Sequence, residues 1–225
     1  MSGKGQKKFE LKSSRKEPAT TLSIPLEKYQ ALVDLCAAER LDYPIANGSA
    51  LHARILIDKL FNIARTSVYL VTGSLRQAST ENIEIYAHAR VIESAKKFLR
   101  SSPAASLSIV IQGGEIDGGA ENRFLREIVD DAARQGVITV YRPKQGVLSS
   151  HETPHFMVTD SSAYRFETGK DASPRNESIS AVANFGDDES ARTLSNIFTK
   201  VLALVNADDN LNSRDIYPRN SAVPA

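Results

Sequence analysis

Hydrophobic and polar residues follow two different periods along this chain. Five segments have apolar residues at three- and four-residue steps, which is the spacing of amphipathic helices. These segments are about 25–40, 49–65, 89–100, 121–135 and 187–206. Ser49 is a residue type that caps helix starts and Gly136 one that follows helix ends, so both are predicted to mark helix boundaries.

Six shorter runs are rich in β-branched and aromatic residues, as buried strands are. They cover residues 67–72, 107–111, 137–142, 155–159, 163–167 and 179–184. Helices and strands alternate first, and then several strands follow one another before a closing helix. This order predicts an α/β fold with a mixed, largely parallel sheet flanked by helices on both faces, preceded by an extra N-terminal helix.

Composition fits one soluble domain with extensions. The chain has 225 residues, of which 41% are hydrophobic and 24% charged, and a formal net charge of +1. We predict a disordered basic tail at 1–20, a helix and linker at 21–47, the α/β domain at 48–206 and a flexible C-terminal tail at 207–225. With a single cysteine, Cys36, no disulfide or cysteine zinc cluster can form within one chain.

The location expected from these features is the cytoplasm. The first residues contain charge but no apolar segment of a secretory signal. No run approaches the roughly 20 apolar residues that cross a membrane. The basic residues of the tail are open to two interpretations, a solvated leader or an arm that contacts nucleic-acid phosphates; they are Lys4, Lys7, Lys8, Lys12, Arg15 and Lys16.

One histidine stands out for its context. His155 opens a strand that runs to a turn at Asp160, and the later strand ends in Ala183-Asn184-Phe185. This order resembles the catalytic half-unit of the phospholipase D-like superfamily, whose hallmark is His-x-Lys-x4-Asp followed by Gly-Ser-x-Asn. Further matching stretches are Ile63–Leu70, Leu107–Ile111 and Gly136–Pro143, so the resemblance covers about residues 48 to 206.

The resemblance implies a chemistry and a partner. In that family two units face each other, with one histidine as nucleophile and the other as general acid, so a single-unit chain is expected to form a homodimer. By position, His155, Asp160 and Asn184 are the candidate catalytic residues. The chemistry implied uses no metal and no cofactor.

The sequence also departs from the family pattern. Met157 occupies the lysine position, the acid comes two residues early, and Val182-Ala183 replace Gly-Ser. Methionine has neither charge nor donor, so Arg165 or Lys170 would have to supply the cation for a phosphate.

Three functions therefore remain open, and the sequence leaves the enzymatic question undecided while leaning against catalysis. The first is a degenerate phospholipase D-like module that binds a phosphate-bearing ligand, nucleic acid or a partner protein. The second is a homodimeric, metal-independent phosphodiesterase or nuclease. The third is a nucleic-acid-binding protein that uses its basic tail. Family analogy suggests a setting in bacterial antiviral defence or in mobile elements.

Overall fold

The computed structural model describes residues 24–73, 75, 85–112, 123–148, 153–167, 181–207 and 210–219. Within these residues the helices are α1 (Leu26–Ala38), α2 (Ala50–Ile63), α3 (Ala89–Ser101), α4 (Arg123–Val129) and α5 (Asp188–Val205). The strands are β1 (Ile45–Asn47), β2 (Ser67–Thr72), β3 (Ser106–Ile111), β4 (Val137–Pro143), β5 (Phe156–Thr159), β6 (Ala163–Glu167), β7 (Ala181–Asn184) and β8 (Leu211–Tyr217).

The strands form one sheet in the order β1-β7-β6-β5-β2-β3-β4-β8. The pairs β2–β3 and β3–β4 are parallel, and the other pairs are antiparallel. The predicted α/β fold with a mixed sheet is confirmed, although its parallel share is smaller than expected. The reason is local: the turn at Asp160 folds β5 back onto β6, and β7 and β1 continue that antiparallel half.

Helices cover both faces of the sheet, as the sequence predicted. α1 to α4 pack on one face, where Leu56, Phe61 and Phe98 are fully buried, and α5 covers the other face with Leu194 and Phe198. β5 divides its side chains accordingly, because successive residues of a strand point to opposite faces. Met157 belongs to the first cluster, whereas its neighbours Phe156 and Val158 belong to the second.

The N-terminal helix and linker are part of this body and not a separate segment. Tyr29, Val33 and Cys36 of α1 are buried in the same cluster as α2. The stretch expected to be a linker contains β1, which pairs with β7 and adds a strand to that side of the sheet. The Tyr29 hydroxyl donates to Ala46 O at 3.0 Å and ties the strand to the helix. Residues 1–20, predicted to be disordered, lie outside the described residues.

The helix expected at 121–135 is shorter than predicted. α4 ends at Val129, so Gly136 does not follow the end of a helix. Gly136 instead lies against the start of β3, where a Cβ atom would be 2.6 Å from Ala105 O. Glycine is needed here because the two backbones approach closely.

The predicted flexible C-terminal tail is wrong for residues 211–217, which form β8 along β4. The Arg134 guanidinium holds the end of this strand, since its Nη1 donates to Tyr217 O at 2.9 Å and to Pro218 O at 2.8 Å. Arg142 of β4 forms an ion pair with Asp215. β8 is polar and lies at the side of the sheet, so it lacks the apolar run by which strands were recognised in the sequence.

Candidate functional site

His155 lies at the end of the sheet where the parallel strands finish. β2 ends there at Thr72 and β3 at Ile111. β5 begins directly after His155, and because β5 runs antiparallel to β2, its start lies at the same end of the sheet. β6 returns to the same end and finishes at Glu167. We call this the His155 end of the sheet. The carboxyl ends of parallel strands are where open α/β sheets usually bind their ligands.

A glycine after β2 makes room for the histidine ring. A Cβ atom at Gly73 would lie 3.0 Å from His155 Cε1 and 3.2 Å from its Nε2. Both distances are shorter than the optimal separation of about 3.5–4.0 Å between non-bonded carbon atoms. A larger residue at position 73 would therefore displace the ring.

Both ring nitrogens of His155 face acceptor oxygens. Nδ1 lies 3.0 Å from Glu167 Oε2, and Nε2 lies 3.3 Å from Gln112 Oε1. Gln112 is itself held in place, because its backbone N–H donates to Thr72 O at 2.9 Å and its Nε2 donates to Thr153 O at 3.3 Å. The ring can donate to either oxygen, and which nitrogen carries the hydrogen depends on its tautomer.

Arg165 lies on β6 directly opposite Met157 of β5. Directly paired residues of antiparallel strands share a face, so Arg165 extends on the face where the resemblance would place a lysine. Its Nη1 donates to Glu167 Oε1 at 2.9 Å, and its Nε donates to Asn47 Oδ1 at 2.7 Å. Arg165 is only 3% exposed, so it is a buried cation with two donors held by protein oxygens.

Glu167 joins the imidazole to the guanidinium. Burial raises the pKa of its carboxyl, but the hydrogen bonds and positive charges of His155 and Arg165 outweigh burial and lower the pKa from 4.5 to about 2. The ionised carboxylate thus binds one partner with each oxygen. The side chains of His155 and Glu167 remain 28% and 31% exposed, so solvent reaches this part of the cluster.

A buried tyrosine lies beside the same charges. Burial raises the pKa of Tyr86 to about 12, against the opposing charge of Arg165 and together with the charge of Glu167. A hydrogen bond links its side chain to that of Thr72, at the end of β2. Tyr86 therefore stays neutral over the physiological range and contributes an uncharged surface next to Arg165.

Asp160 lies at the opposite end of the sheet from His155, where β5 finishes and β2 begins. Its carboxylate accepts from the backbone N–H groups of Arg65, Thr66 and Ser67 at 2.8, 2.9 and 2.8 Å, and from the Thr66 hydroxyl at 2.8 Å. The residue has φ +51°, a conformation that aspartate tolerates better than most residues. Asp160 thus fixes the turn to the start of β2 and does not meet His155.

Asn184 is likewise away from His155. It pairs with Tyr164 in the β6–β7 register, three residues along β6 from Glu167. Its Oδ1 accepts from the backbone N–H groups of Gly186 and Asp187 at 2.9 and 3.1 Å, and its Nδ2 donates to Asp42 Oδ1 at 2.8 Å. Asn184 shapes the connection into α5. Of the three residues nominated as catalytic, only His155 lies at the His155 end.

Of the remaining residues discussed from the sequence, Met157 lies in the core and the others lie outside the described residues. Met157, at the lysine position of the resemblance, is 1% exposed and packed in the core. Lys170 and the basic tail residues, Lys4, Lys7, Lys8, Lys12, Arg15 and Lys16, lie outside the described residues.

Four residues of the site were not selected from the sequence: Gly73, Gln112, Glu167 and Asn47. Signals exist for three of them. Arg165-x-Glu167 on a predicted strand places both side chains on one face. Gln112 and Gly73 follow the ends of predicted strands, where ligand-binding residues collect. Asn47 has no such signal, since the three-residue strand that carries it is too short to be recognised.

A second group of polar residues lies away from this site, between helices. A groove of about 390 Å³ runs along α1, α2 and the start of α3, lined by Leu26, Leu51, Ile55, Asp58, His88 and Arg90 among others. Asp58 at its base is buried and already bound by Arg90 Nε at 2.8 Å, Asn62 Nδ2 at 3.0 Å and the Ser94 hydroxyl. These contacts join α2 to α3, so Asp58 is accounted for by packing.

Comparison with known proteins yields similarity of fold only. No family model and no curated protein matches the chain. Nuc from Salmonella typhimurium, a phospholipase D family member, is 15% identical over 72% of this chain and 96% of its own, with a TM-score of 0.47. NucT from Helicobacter pylori is 10% identical with the same coverage and TM-score.

The chain resembles these solved structures in fold. It is also similar to the archaeal chromatin protein TrmBL2, at 8% identity over 79% of this chain and 59% of that one, with a TM-score of 0.49. In the described part of the chain, no helix has the length and apolar character to cross a membrane.

Proposed function

We propose that this chain is a phospholipase D-like module that binds a phosphate-bearing ligand, nucleic acid foremost, at the His155 end without cleaving it. The observation that carries the proposal is that one carboxylate, Glu167, is shared between the His155 imidazole and the Arg165 guanidinium. The cluster holds charge but keeps its donors bound to protein oxygens.

Binding is favoured by the hydrogen-bond donors of the site. The Arg165 guanidinium carries a fixed positive charge, and the His155 ring adds an N–H donor at the same carboxylate. A phosphodiester has one negative charge and oxygens that accept charge-assisted hydrogen bonds. The exposed part of His155 gives such a ligand access to these donors.

Catalysis is disfavoured by the same contacts. A histidine nucleophile needs a free ring nitrogen, but both nitrogens of His155 face acceptors. Fixed positive charge around the phosphoryl oxygens is also needed, and removing one such group typically costs about 10²–10³ in rate. Met157 supplies no charge, and the Arg165 donors Nη1 and Nε are held by Glu167 and Asn47.

Nucleic acid is the favoured ligand because two further sources of positive charge, Lys170 and the basic tail, would reach the phosphates of the nucleic acid. Lys170 belongs to the connection between β6 and β7, both of whose ends lie at the His155 end. The basic tail would add sequence-independent phosphate contacts. A homodimer, expected from the resemblance, would present two His155 ends to one ligand.

A second candidate function, a metal-independent phosphodiesterase acting as a homodimer, is favoured by one observation. The Glu167 carboxylate orients the His155 ring through Nδ1, which is how histidine bases and nucleophiles are commonly held. In this alternative, ligand binding would displace Gln112 from Nε2.

Binding and cleavage assays on the full chain separate the two functions. We expect a labelled oligonucleotide to bind and to remain intact in EDTA, and His155→Ala to weaken binding about tenfold, the loss of one charge-assisted hydrogen bond. Arg192→Ala is the control for loss of an exposed cation, because α5, which carries it, follows the end of β7 that lies opposite the His155 end. Metal-independent turnover that His155→Ala abolishes would replace this proposal by the second candidate.

The basic tail is tested by salt dependence. We expect deletion of residues 1–16 to make the plot of log affinity against log salt less steep, by about 0.7–0.9 for each phosphate that the tail neutralises in the intact chain. If the shortened chain keeps the full slope of log affinity against log salt, the tail does not contact the ligand. Capture of a protein partner with no affinity for oligonucleotides would contradict nucleic acid as the ligand.

A further inference from the structure

A residue from the N-terminal part of the chain reaches into the His155 end across a neighbouring strand. Asn47 ends β1, and the register places Asn47, Ala181 and Glu167 in one row across β1, β7 and β6. The next row on the same face contains Ala183 and Arg165. Both β7 residues are alanines, and their small side chains leave space for the Arg165 side chain to extend over β7 towards β1.

The Asn47 amide is fixed in orientation by two hydrogen bonds. Its Nδ2 donates to Ser49 O at 2.8 Å, and its Oδ1 accepts from Arg165 Nε at 2.7 Å. The residue is 1% exposed. Because the amide nitrogen is occupied by a carbonyl at the start of α2, the amide oxygen is the atom that faces the guanidinium.

This contact determines how Arg165 meets Glu167. A guanidinium is planar and its donors have a fixed geometry, so holding Nε also sets the direction of Nη1. Nη1 points at Glu167 Oε1, and this leaves Oε2 to His155 Nδ1. The hydrogen bonds therefore form one series from Asn47 through Arg165 and Glu167 to the imidazole ring.

We infer that Asn47 is a positioning residue of the His155 end: by fixing the Arg165 guanidinium against Glu167, it sets how strongly this end binds a phosphate-bearing ligand. The inference rests on the proposed function, which it deepens by adding the α1–β1 segment to the site. Without the Asn47 oxygen, the buried Arg165 Nε–H loses its acceptor, and the guanidinium no longer holds Glu167 in the orientation that His155 requires.

The test uses two readouts, one of which needs no ligand. The first is the exchange of the Arg165 Nε–H with solvent, followed by ¹⁵N NMR of arginine-labelled protein. The second is the affinity for a fluorescein-labelled oligo-dT at fixed salt. For Asn47→Ala we expect faster exchange of that proton and an affinity about five- to tenfold lower than wild type.

The matched control is Tyr29→Phe, which removes the hydrogen bond to Ala46 of the same strand and leaves Asn47 in place. It is expected to change neither readout. If it changes both as much as Asn47→Ala does, the effect belongs to β1 packing and the inference is overturned. An Asn47→Ala protein with wild-type exchange, or with faster exchange and unchanged affinity, also overturns it.

A second variant covers the case in which Asn47→Ala does not fold. Arg165→Lys keeps the charge, but a single ammonium lacks the planar fork that binds Asn47 and Glu167 together. We expect its affinity to fall about fivefold, and wild-type affinity would show that the fixed orientation is irrelevant. If the wild-type chain binds no oligonucleotide, the proposed function fails, while Arg165 Nε–H exchange in Asn47→Ala still decides whether Asn47 positions Arg165.

Discussion

The two ends of the β5–β6 hairpin use polar side chains in opposite ways. At the end that holds Asp160, a carboxylate accepts from backbone N–H groups. At the His155 end, a carboxylate binds the imidazole of His155 and the guanidinium of Arg165. A backbone N–H group is held in place by the fold, so its hydrogen bond to a carboxylate persists. A charged side chain can instead exchange one of its protein partners for a ligand. The comparison separates residues that complete the structure from residues available for binding.

The same distinction applies to the two acids of this hairpin. Asp160 comes two residues earlier than the motif acid, and its contacts with Arg65, Thr66 and Ser67 identify it as the residue that closes the turn. Glu167, which no motif position marks, is the acid that faces His155. The partners of a carboxylate are more informative than its place in a pattern.

The largest expected effect comes from restoring the motif lysine in the strand between the two ends. Met157→Lys places an ammonium where the side chain is 1% exposed and packed in the core. We expect a loss of about 3–5 kcal/mol in the free energy of unfolding, typical of an uncompensated buried charge, and no gain of phosphodiester cleavage. Urea unfolding measures the loss, with Met157→Leu as the volume-matched control. Efficient cleavage by a stable Met157→Lys protein would mean that the lysine finds a place beside His155.

The next effect concerns the Asp160 end. Asp160→Ala removes the acceptor of three backbone N–H groups and leaves an alanine at φ +51°. We expect about 2–3 kcal/mol of destabilisation, the sum of lost hydrogen bonds and backbone strain, with ligand affinity unchanged. Asp160→Asn keeps one acceptor oxygen and tolerates this φ, so it should lose about half as much. Equal unfolding free energies for the wild type, Asp160→Ala and Asp160→Asn would show that Asp160 does not stabilise the turn.

A smaller effect is expected from pH. The folded pKa of Glu167, about 2, lies below its ordinary value of 4.5. Its contribution to stability is therefore present above pH 4.5 and is lost as pH falls towards 2. In Glu167→Gln the dependence of stability on pH in this window should be shallower, by up to about 1.4 kcal/mol per pH unit. Unfolding at several pH values checks this against the exposed control Glu39→Gln, and an unchanged slope for Glu167→Gln would contradict the pairing with His155 and Arg165.

Strong periodicity made much of the fold predictable. β2 and α5 lie within one residue of their predicted bounds, because a β-branched run and a long apolar stripe leave few alternatives. β1 and β8 were missed because they are short or polar strands that gain stability from pairing at the sides of the sheet. Such strands depend on neighbours that are distant in the sequence, so local pattern does not reveal them.

The site was predictable only in part, for a related reason. His155 and Arg165 were selected from residue type and position, and the strand register then placed Arg165 opposite Met157. The contacts of His155 with Gln112 and of Arg165 with Asn47 join residues 43 and 118 positions apart. Their proximity follows from sheet order, which the alternation of elements does not determine.

We propose that a phosphate-bearing ligand binds at the ring of His155 and is not cleaved. This is tested most directly by adding a short oligonucleotide to ¹⁵N-histidine-labelled protein in EDTA and following the ring resonances. We predict a saturable shift of the His155 signals that is larger than any shift of the His52 and His88 signals, and an uncleaved oligonucleotide at the end. Binding that leaves the His155 signals unchanged, or cleavage of the oligonucleotide during the titration, would contradict the proposal.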